Sequence, residues 1–438
     1  MDIAKFLQNL KHLTSATIVS SIALFLQVII IARGLSISEF GVWGAITAYF
    51  SVIVSIIGFK VSDAYATTLA KSGVRSDKDR IMSILTTHVI GIELVSSIVA
   101  GLAGVILSTY IIDIFIDSYE TIQYPVFIYF GILVFLNSLS NVFFCLGREV
   151  DKVKVLSRIL ALFNLLSLLI VSITYYFYTL SIINILYCFL FVRSIAFLTQ
   201  LGFLYLWMSN FYSKKYFKQS LTRGVIEDNL ISLFWKYILA SYFYSTITGM
   251  VKNVDMMVIG FFSTDSDIGL YKVAKTLAAA AHQFISVLSQ SMVKDFSRMI
   301  ALEEYANIIQ FIKKYSRVSI VICLLLFVLA IGISQEVINI IYNGKYNEAS
   351  SIFLIMLFAS LLSLVLVWGG TIIVAAAKFK IMLTTSTIVS TITIFLYYIL
   401  TDFYGIYGTA IANASMWIMY SIVYMILSYR YLINPSYK

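Results

Sequence analysis

SEFGVW (Ser38–Trp43) returns as SDIGLY (Ser266–Tyr271), 228 positions further along a chain of 438 residues. Both read serine, acid, apolar, glycine, apolar, aromatic. Both end one long apolar run and open the next. What the repetition means depends on what the apolar runs are.

Hydrophobic residues make up 60% of the chain and charged residues 12%, with a mean hydropathy of +0.92. A soluble domain is about 45–50% apolar and about 25% charged. So few polar residues cannot cover a water-exposed globule, and the chain reads as a polytopic membrane protein. The first apolar run, Thr14 to about Ala32, is too long for a signal peptide and lacks a clear cleavage site, so it reads as a true first span. Cys145, Cys188 and Cys323 all fall within apolar runs and read as small buried hydrophobes, not a disulfide framework. The formal charge of +9 marks cytoplasmic loops in such a protein, not a nucleic-acid surface.

About twelve runs approach the roughly 20 apolar residues a spanning helix needs. They lie near 13–33, 40–59, 82–108, 125–146, 156–178, 182–208, 231–262, 268–292, 315–334, 350–374, 380–400 and 404–428. Alternate connections are basic, with Lys60, Lys71 and Arg75, then Arg148, Lys152 and Lys154, then Lys214, Lys215, Lys218 and Arg223. Lys294, Arg298, Lys313 and Lys314 continue the series, followed by Lys378 and Lys380. The intervening connections carry Glu39, Asp113, Asp117, Glu120, Asp265, Asp267, Glu336, Glu348 and Asp402, with Lys345 as their clear lysine. A miscounted helix would invert this alternation downstream. It holds to the end, which places both termini in the cytoplasm.

The basic stretch Ser209–Glu227 divides the runs six and six. The predicted fold is therefore all-α, with about twelve spans in two six-helix bundles. The bundles are 1–208 and 231–438, joined by a cytoplasmic linker at 209–230. SEFGVW and SDIGLY then mark the first outer hairpin of each half. Six is even, so both halves enter from the same side, as a parallel repeat about an axis along the membrane normal. Chance similarity of two helix ends is the alternative. With only Pro125 and Pro435 in the chain, bends are expected at Gly249, Gly260, Gly369 and Gly370.

Charges within the runs stand out, because a central Lys, Arg or Asp costs roughly 2.5–3.5 kcal/mol on insertion scales and normally faces a cavity or a partner. They are Arg33, Glu93, Arg193, Lys236, Lys252, Asp255, Lys272 and Lys275. Lys252 and Asp255 share one helical face, either as a mutual neutralising pair or as cavity lining. Lys272 and Lys275 either line the cavity or snorkel to outer headgroups. Arg33 reads equally as an interface anchor, and Lys236 snorkels. Substrate-binding candidates are Arg33, Arg193, Lys252, Asp255, Lys272 and Lys275. Asp255 and Glu93 are the candidates for ion coupling, which is energetically adequate at about 2.3 kcal/mol per charge per 100 mV. A net-positive chamber suits an anionic guest. Tyr242, Tyr244 and Tyr271 lie near the cluster.

No phosphate-binding loop, HExxH or paired-cysteine zinc spacing occurs, so no enzyme, cofactor or metal is expected. His88 and His282 read as satisfied residues of apolar runs. Asp265-Ser266-Asp267 imitates a metal-binding D-x-D, but two acids at a helix start read better as caps.

IIARGLSISEFGVWGAITAYFSVIVSIIGFKVSDA resembles the opening of bacterial polysaccharide (O-antigen type) flippases, in the multidrug/oligosaccharidyl-lipid/polysaccharide exporter superfamily. Arg33, Leu35, Glu39, Phe40 and Gly41 fall on its recurring pattern, with Ile37 where proline is common. NVDMMVIGFFSTDSDIGLYKVAKTL, with Asp255, Gly260, Gly269 and Tyr271, resembles the start of its second half. IYNGKYNEASSIFLIML and YGIYGTAIANA also match its style. The resemblance implies two bundles around a central cavity lined by spans one, two, seven and eight. The implied cargo is an undecaprenyl-pyrophosphate-linked oligosaccharide, flipped across the bacterial inner membrane by alternating access. Membrane lipids and a polysaccharide polymerase with its chain-length machinery are the implied partners, and a monomer the implied unit. Two rivals stay open. A drug/cation antiporter of the same superfamily would favour an acid-dominated cavity, and here basic residues dominate. A membrane polymerase or glycosyltransferase would carry a large loop, and here the outer loops are short.

Overall fold

The computed structural model describes residues 15–59, 61, 64, 65, 68, 78–116, 125–149, 153–211 and 228–433. Lys60, Lys71, Arg75, Asp117, Glu120, Lys152 and residues 212–227 of the linker, with Lys214, Lys215, Lys218 and Arg223, lie outside the described residues, as do His12 and Pro435.

The described residues form α1 Ser15–Gly34, α2 Ile37–Ile57, α3 Lys78–Phe115, α4 Pro125–Glu149, α5 Val153–Phe177 and α6 Ile182–Phe211. The second series is α7 Asp228–Phe262, α8 Asp265–Ala301, α9 Tyr305–Tyr342, α10 Ala349–Val365, α11 Val367–Ala375 and α12 Phe379–Ile433. Helices α10 and α11 form one span bent by 50°. Helix α12 is two spans joined at Gly405, whose φ of 54° and ψ of −137° break the helix. The count is twelve. Length and composition alone pick out seven of the described helices, or eight with the bent pair. They pass over α7 and α8, which carry Lys252, Asp255, Lys272 and Lys275.

In the first bundle α1 packs on α5, α3 on α4, and α6 on α4 and α5; in the second α7, α10 and α11 pack on α12, and α8 and α9 on α10. The chain is an all-α multi-pass membrane protein, whose basic loops mark the cytoplasmic side.

The bundles meet where the sequence repeats. Ser36 caps α2: its hydroxyl accepts from the Glu39 N–H at 3.1 Å, and the Glu39 carboxylate accepts from the Ser36 N–H at 2.8 Å. Thr264, 228 positions later, caps α8 through Asp267 in the same reciprocal way, at 3.4 and 3.2 Å. The acid of each motif is thus the third residue of a capping box, the cap expected of Asp265-Ser266-Asp267. The glycines bring the helices together. A Cβ on Gly41 would collide with the carbonyl oxygen of Asp265, and one on Gly269 with that of Ile37. Gly41 and Gly269 are repeat equivalents, and so are Ile37 and Asp265. The contact is reciprocal, which is the mark of a two-fold axis. Both helices run from outer to inner face, so the axis lies along the membrane normal.

A second set of bonds joins the bundles at the outer face. Arg33, at the end of α1, donates from Nε to Ile341 O at 2.5 Å and from Nη2 to Ile340 O at 2.8 Å. These carbonyls belong to the last turn of α9, where no intrahelical donor remains and a cation is favoured. In return Lys345 Nζ donates to Arg33 O at 2.7 Å and Leu35 O at 3.2 Å, and Tyr346 OH to Ala32 O at 3.1 Å. Toward the inner face α7 crosses to the first bundle, where Phe234 and Ile238 pack against Val61, Tyr65, Leu85 and Val142. Tyr242 OH donates to Ile56 O at 2.6 Å.

The expected bends need correction. Helix α7 runs unbroken through Gly249 and Gly260, which instead admit Ser55 and the Phe115 carbonyl. Gly369 admits the backbone of Met425. The 50° bend falls at Leu366, between α10 and α11.

Candidate functional site

Among the described residues, each bundle holds a cleft. The cleft of the second bundle has a volume of about 670 Å³. Its walls come from α7, α8, α10, α11 and both spans of α12. It begins at Lys275 and Asn413 and runs toward the inner ends at Val374 and Tyr424. The lining mixes the aromatic and thioether side chains of Tyr244, Trp417, Tyr420, Tyr424, Met356 and Met416 with serine and threonine hydroxyls. His282 stacks on Trp417 at 4.0 Å and meets the Ser360 hydroxyl at 3.0 Å. It is satisfied, as expected, yet it also lines the cleft.

At the head of this cleft sits Asp255, fully buried. Its carboxylate accepts from Lys275 Nζ at 2.7 and 2.8 Å, from Tyr271 OH at 2.7 Å, from the Met256 N–H at 2.9 Å and from Asn413 Nδ2 at 3.4 Å. Asn413 also donates to Tyr397 OH at 3.1 Å. Lys275 Nζ reaches Lys252 O at 2.6 Å. Its ammonium is thus ringed by three oxygens, two of them from one carboxylate, as a bound cation would be. The partner of Asp255 is therefore Lys275 of α8 and not Lys252 of its own face. Lys252 is exposed, with Nζ 5.3 Å from the centre of the Trp417 ring.

The remaining candidates separate. Lys272 is 8% exposed and lies between the bundles: its Nζ donates to Thr47 Oγ1 at 3.0 Å and stands 5.1 and 5.7 Å from the Phe40 and Trp43 rings. It does not reach the headgroup belt. Its stem crosses the face of Gly44, where a Cβ would lie 2.9 Å from Lys272 Cδ. Arg33 lines neither cleft and belongs to the outer clasp. Glu93 is buried on α3, takes a hydrogen bond from the Val61 backbone and also lines neither cleft. Among the described residues no group of three His, Cys, Asp or Glu could hold a metal.

Arg193 lies in the other cleft, about 660 Å³, between α1, α2, α4, α5 and α6, with Asn253 of α7 at its edge. Arg193 and the Lys252/Lys275 group thus line different clefts, with α2, α7 and α8 packed together between them.

No family model and no curated protein matches the chain. Solved structures do. A multidrug-resistance MATE-family transporter of the MOP superfamily, in an inward-facing conformation, matches at TM-score 0.73 and 11% identity over 94% of each chain. The lipid II flippase MurJ, inward closed, matches at 0.70 and 15% over 95% of this chain and 86% of its own. A MOP-superfamily transporter from Pyrococcus furiosus, described by the reverse polarity of its binding pocket, matches at 0.60 and 10% over 95% and 93%.

These likenesses carry the fold. They overturn the resemblance to polysaccharide flippases: five of the matching structures are MATE transporters, and none is described as a polysaccharide flippase. The implied undecaprenyl-pyrophosphate-linked cargo and the polymerase and chain-length partners fall with it. The physical reason lies in the motifs that carried the resemblance. Glu39, Gly41, Asp267 and Gly269 encode caps and a helix crossing, which specify architecture and leave the cargo open.

Proposed function

We propose that the chain is an alternating-access antiporter that exchanges an amphipathic, drug-sized solute held in the second-bundle cleft for a coupling cation at Asp255. The observation that carries the reading is the buried Asp255–Lys275 pair at the head of a cleft whose hydroxyl-bearing walls also present tyrosine, tryptophan and methionine side chains. Such walls suit a lipophilic body, since pockets of roughly 300–1,000 Å³ take drug-sized ligands and thioethers adapt to varied shapes. The excess of basic residues that spoke against an antiporter is dispersed in the fold. Arg33 serves the outer clasp, Lys272 the bundle interface and Arg193 the other cleft, leaving Lys252, Lys275 and Asp255 here.

The pair suggests how exchange works. In this conformation Lys275 acts as a tethered counterion. A proton or sodium ion arriving at Asp255 displaces the ammonium into the cleft and raises the charge there by one unit. A cationic solute is repelled at that moment, so entry of the coupling ion and release of the solute are linked. In this reading the halves 1–208 and 231–438 rock about the Gly41–Gly269 crossing, with 209–230 as the tether.

The test is ethidium movement in liposomes holding the purified protein, under imposed proton or sodium gradients. Wild type is expected to move ethidium against at least one gradient, and Asp255→Asn to abolish the gradient dependence at normal protein level. Absence of gradient-driven movement in wild type, or an unchanged Asp255→Asn, refutes the proposal.

A further inference from the structure

The first-bundle cleft has no role in the exchange just described, yet it is built around a charge. Arg193 sits about 16 Å along α6 from its outer end, at 1.5 Å per residue. A guanidinium has five N–H donors. One of them is used: Nη2 donates to Asn164 Oδ1 at 3.1 Å. Asn164 is buried and in turn donates to Ser20. Beside it Gln27 donates to Ser167 at 2.6 Å. The arginine is therefore held in place by a fixed wall and keeps most of its donors for the cleft.

The rest of the lining points the same way. Asn137, Ser138, Ser140 and Asn141 of α4 face the cleft, and no Asp or Glu lines it among the described residues. A second cation stands behind the wall, since Lys272 Nζ donates to Thr47, itself a lining residue. At one end the rings of Trp43, Phe130 and Phe189 cluster, with Trp43 5.1 Å from Phe130 and 5.7 Å from Phe189. A cation in the cleft, a second behind its wall, amide groups and an aromatic end form a complementary surface for one chemical class.

The geometry points to a binding site for an aryl carboxylate in the first-bundle cleft. The Arg193 fork takes the carboxylate in a bidentate manner, the asparagines of α4 take amide or hydroxyl groups, and the Trp43 cluster takes the ring. This goes beyond the antiporter reading, which uses only the second-bundle cleft and Asp255.

The probe is radiolabelled p-aminohippurate, an aryl amide carboxylate, measured by equilibrium dialysis on full-length protein in detergent. Wild type is expected to bind it saturably. Arg193→Gln weakens binding at least tenfold. Arg193→Lys, which keeps the charge and loses the fork, falls between them. Asn141→Leu, which fills the cleft and leaves the Arg193–Asn164 bond intact, also blocks binding. Tetraphenylphosphonium, a cation of similar bulk, does not compete. The proposal is overturned if wild type does not bind p-aminohippurate at millimolar concentration. It is also overturned if Arg193→Gln and Asn141→Leu bind within twofold of wild type, or if tetraphenylphosphonium competes. Should Arg193→Gln not fold, Asn141→Leu decides alone. Binding is read without transport, so failure here leaves ethidium exchange untouched, and the reverse holds.

Discussion

Consider replacing Lys275 with methionine, which keeps most of the stem and removes the ammonium. Asp255 is 0% exposed and its one ion-pair partner among the described residues is Lys275, itself 24% exposed. Removing one partner of a buried pair strands the other charge and costs about 3–5 kcal/mol. The Tyr271, Asn413 and Met256 donors remain, so the lower end of that range is expected. Asp255→Asn is milder, at about 1–3 kcal/mol, because the stranded lysine can turn into the cleft and hydrate. In the double variant Asp255→Asn/Lys275→Met no charge is stranded. Replacing a whole buried pair is often close to neutral, so the double variant should be no less stable than Asp255→Asn alone. The coupling energy then comes to about 3 kcal/mol, far above the roughly 0.5 kcal/mol scatter of independent sites. Reversible unfolding of the purified variants in mixed micelles, followed by tryptophan fluorescence, yields all four free energies. Additive single costs would refute the reasoning and mean that Lys275 carries no part of the burden of keeping Asp255 buried.

Three further outcomes are expected. Arg33→Ala combined with Lys345→Ala removes four bonds across the outer face; charge-assisted bonds contribute roughly 1.5–3 kcal/mol each when shielded, so a cysteine at Ser51 in the first-bundle cleft should label from outside at least tenfold faster than in the parent, and an unchanged rate would discount the clasp. Gly41→Val and Gly269→Val each drive a side chain into a carbonyl of the partner helix and should lower stability by more than about 2 kcal/mol, whereas Gly91→Ala, with nothing within 4 Å of its Cβ, should be silent in the same unfolding assay. A single cysteine at Ser266 should react with an impermeant thiol reagent in intact cells and one at Lys78 only after lysis; the opposite result would invert the membrane orientation.

Much of the architecture is legible in the sequence because it is written in long stretches. Twenty apolar residues carry a span without reference to anything distant, and the alternation of loop charge fixes its direction. The parallel repeat is legible because caps and close crossings demand particular residues at particular steps. The site is less legible because its contacts run between helices. Spacing pairs Asp255 with Lys252, three residues away, while the actual partner comes from the next helix. Asn413, which links Asp255 to Tyr397, is one amide in an apolar run and gives no warning. The polar wall of the first-bundle cleft did leave a trace, in the NSLSN of Asn137–Asn141, an unusual density of amides and hydroxyls inside a span. The cargo was misread because the recognisable residues serve the helix crossing.

That crossing also carries a history. A contact in which Gly41 meets Asp265 while Gly269 meets Ile37 is one that two copies of a single six-span chain could make with each other. The two-fold relation makes descent from such a homodimer, by gene duplication and fusion, a natural origin for the fold. Lys272 shows what fusion allowed. Its repeat equivalent is Gly44, and the lysine lies across that glycine. In a homodimer the two positions would be the same residue. Two lysines would then press against each other beside the axis, or two glycines would leave it without a charge. Holding glycine on one side and lysine on the other requires two separately encoded halves, so on this origin the charge between the bundles arose after the duplication.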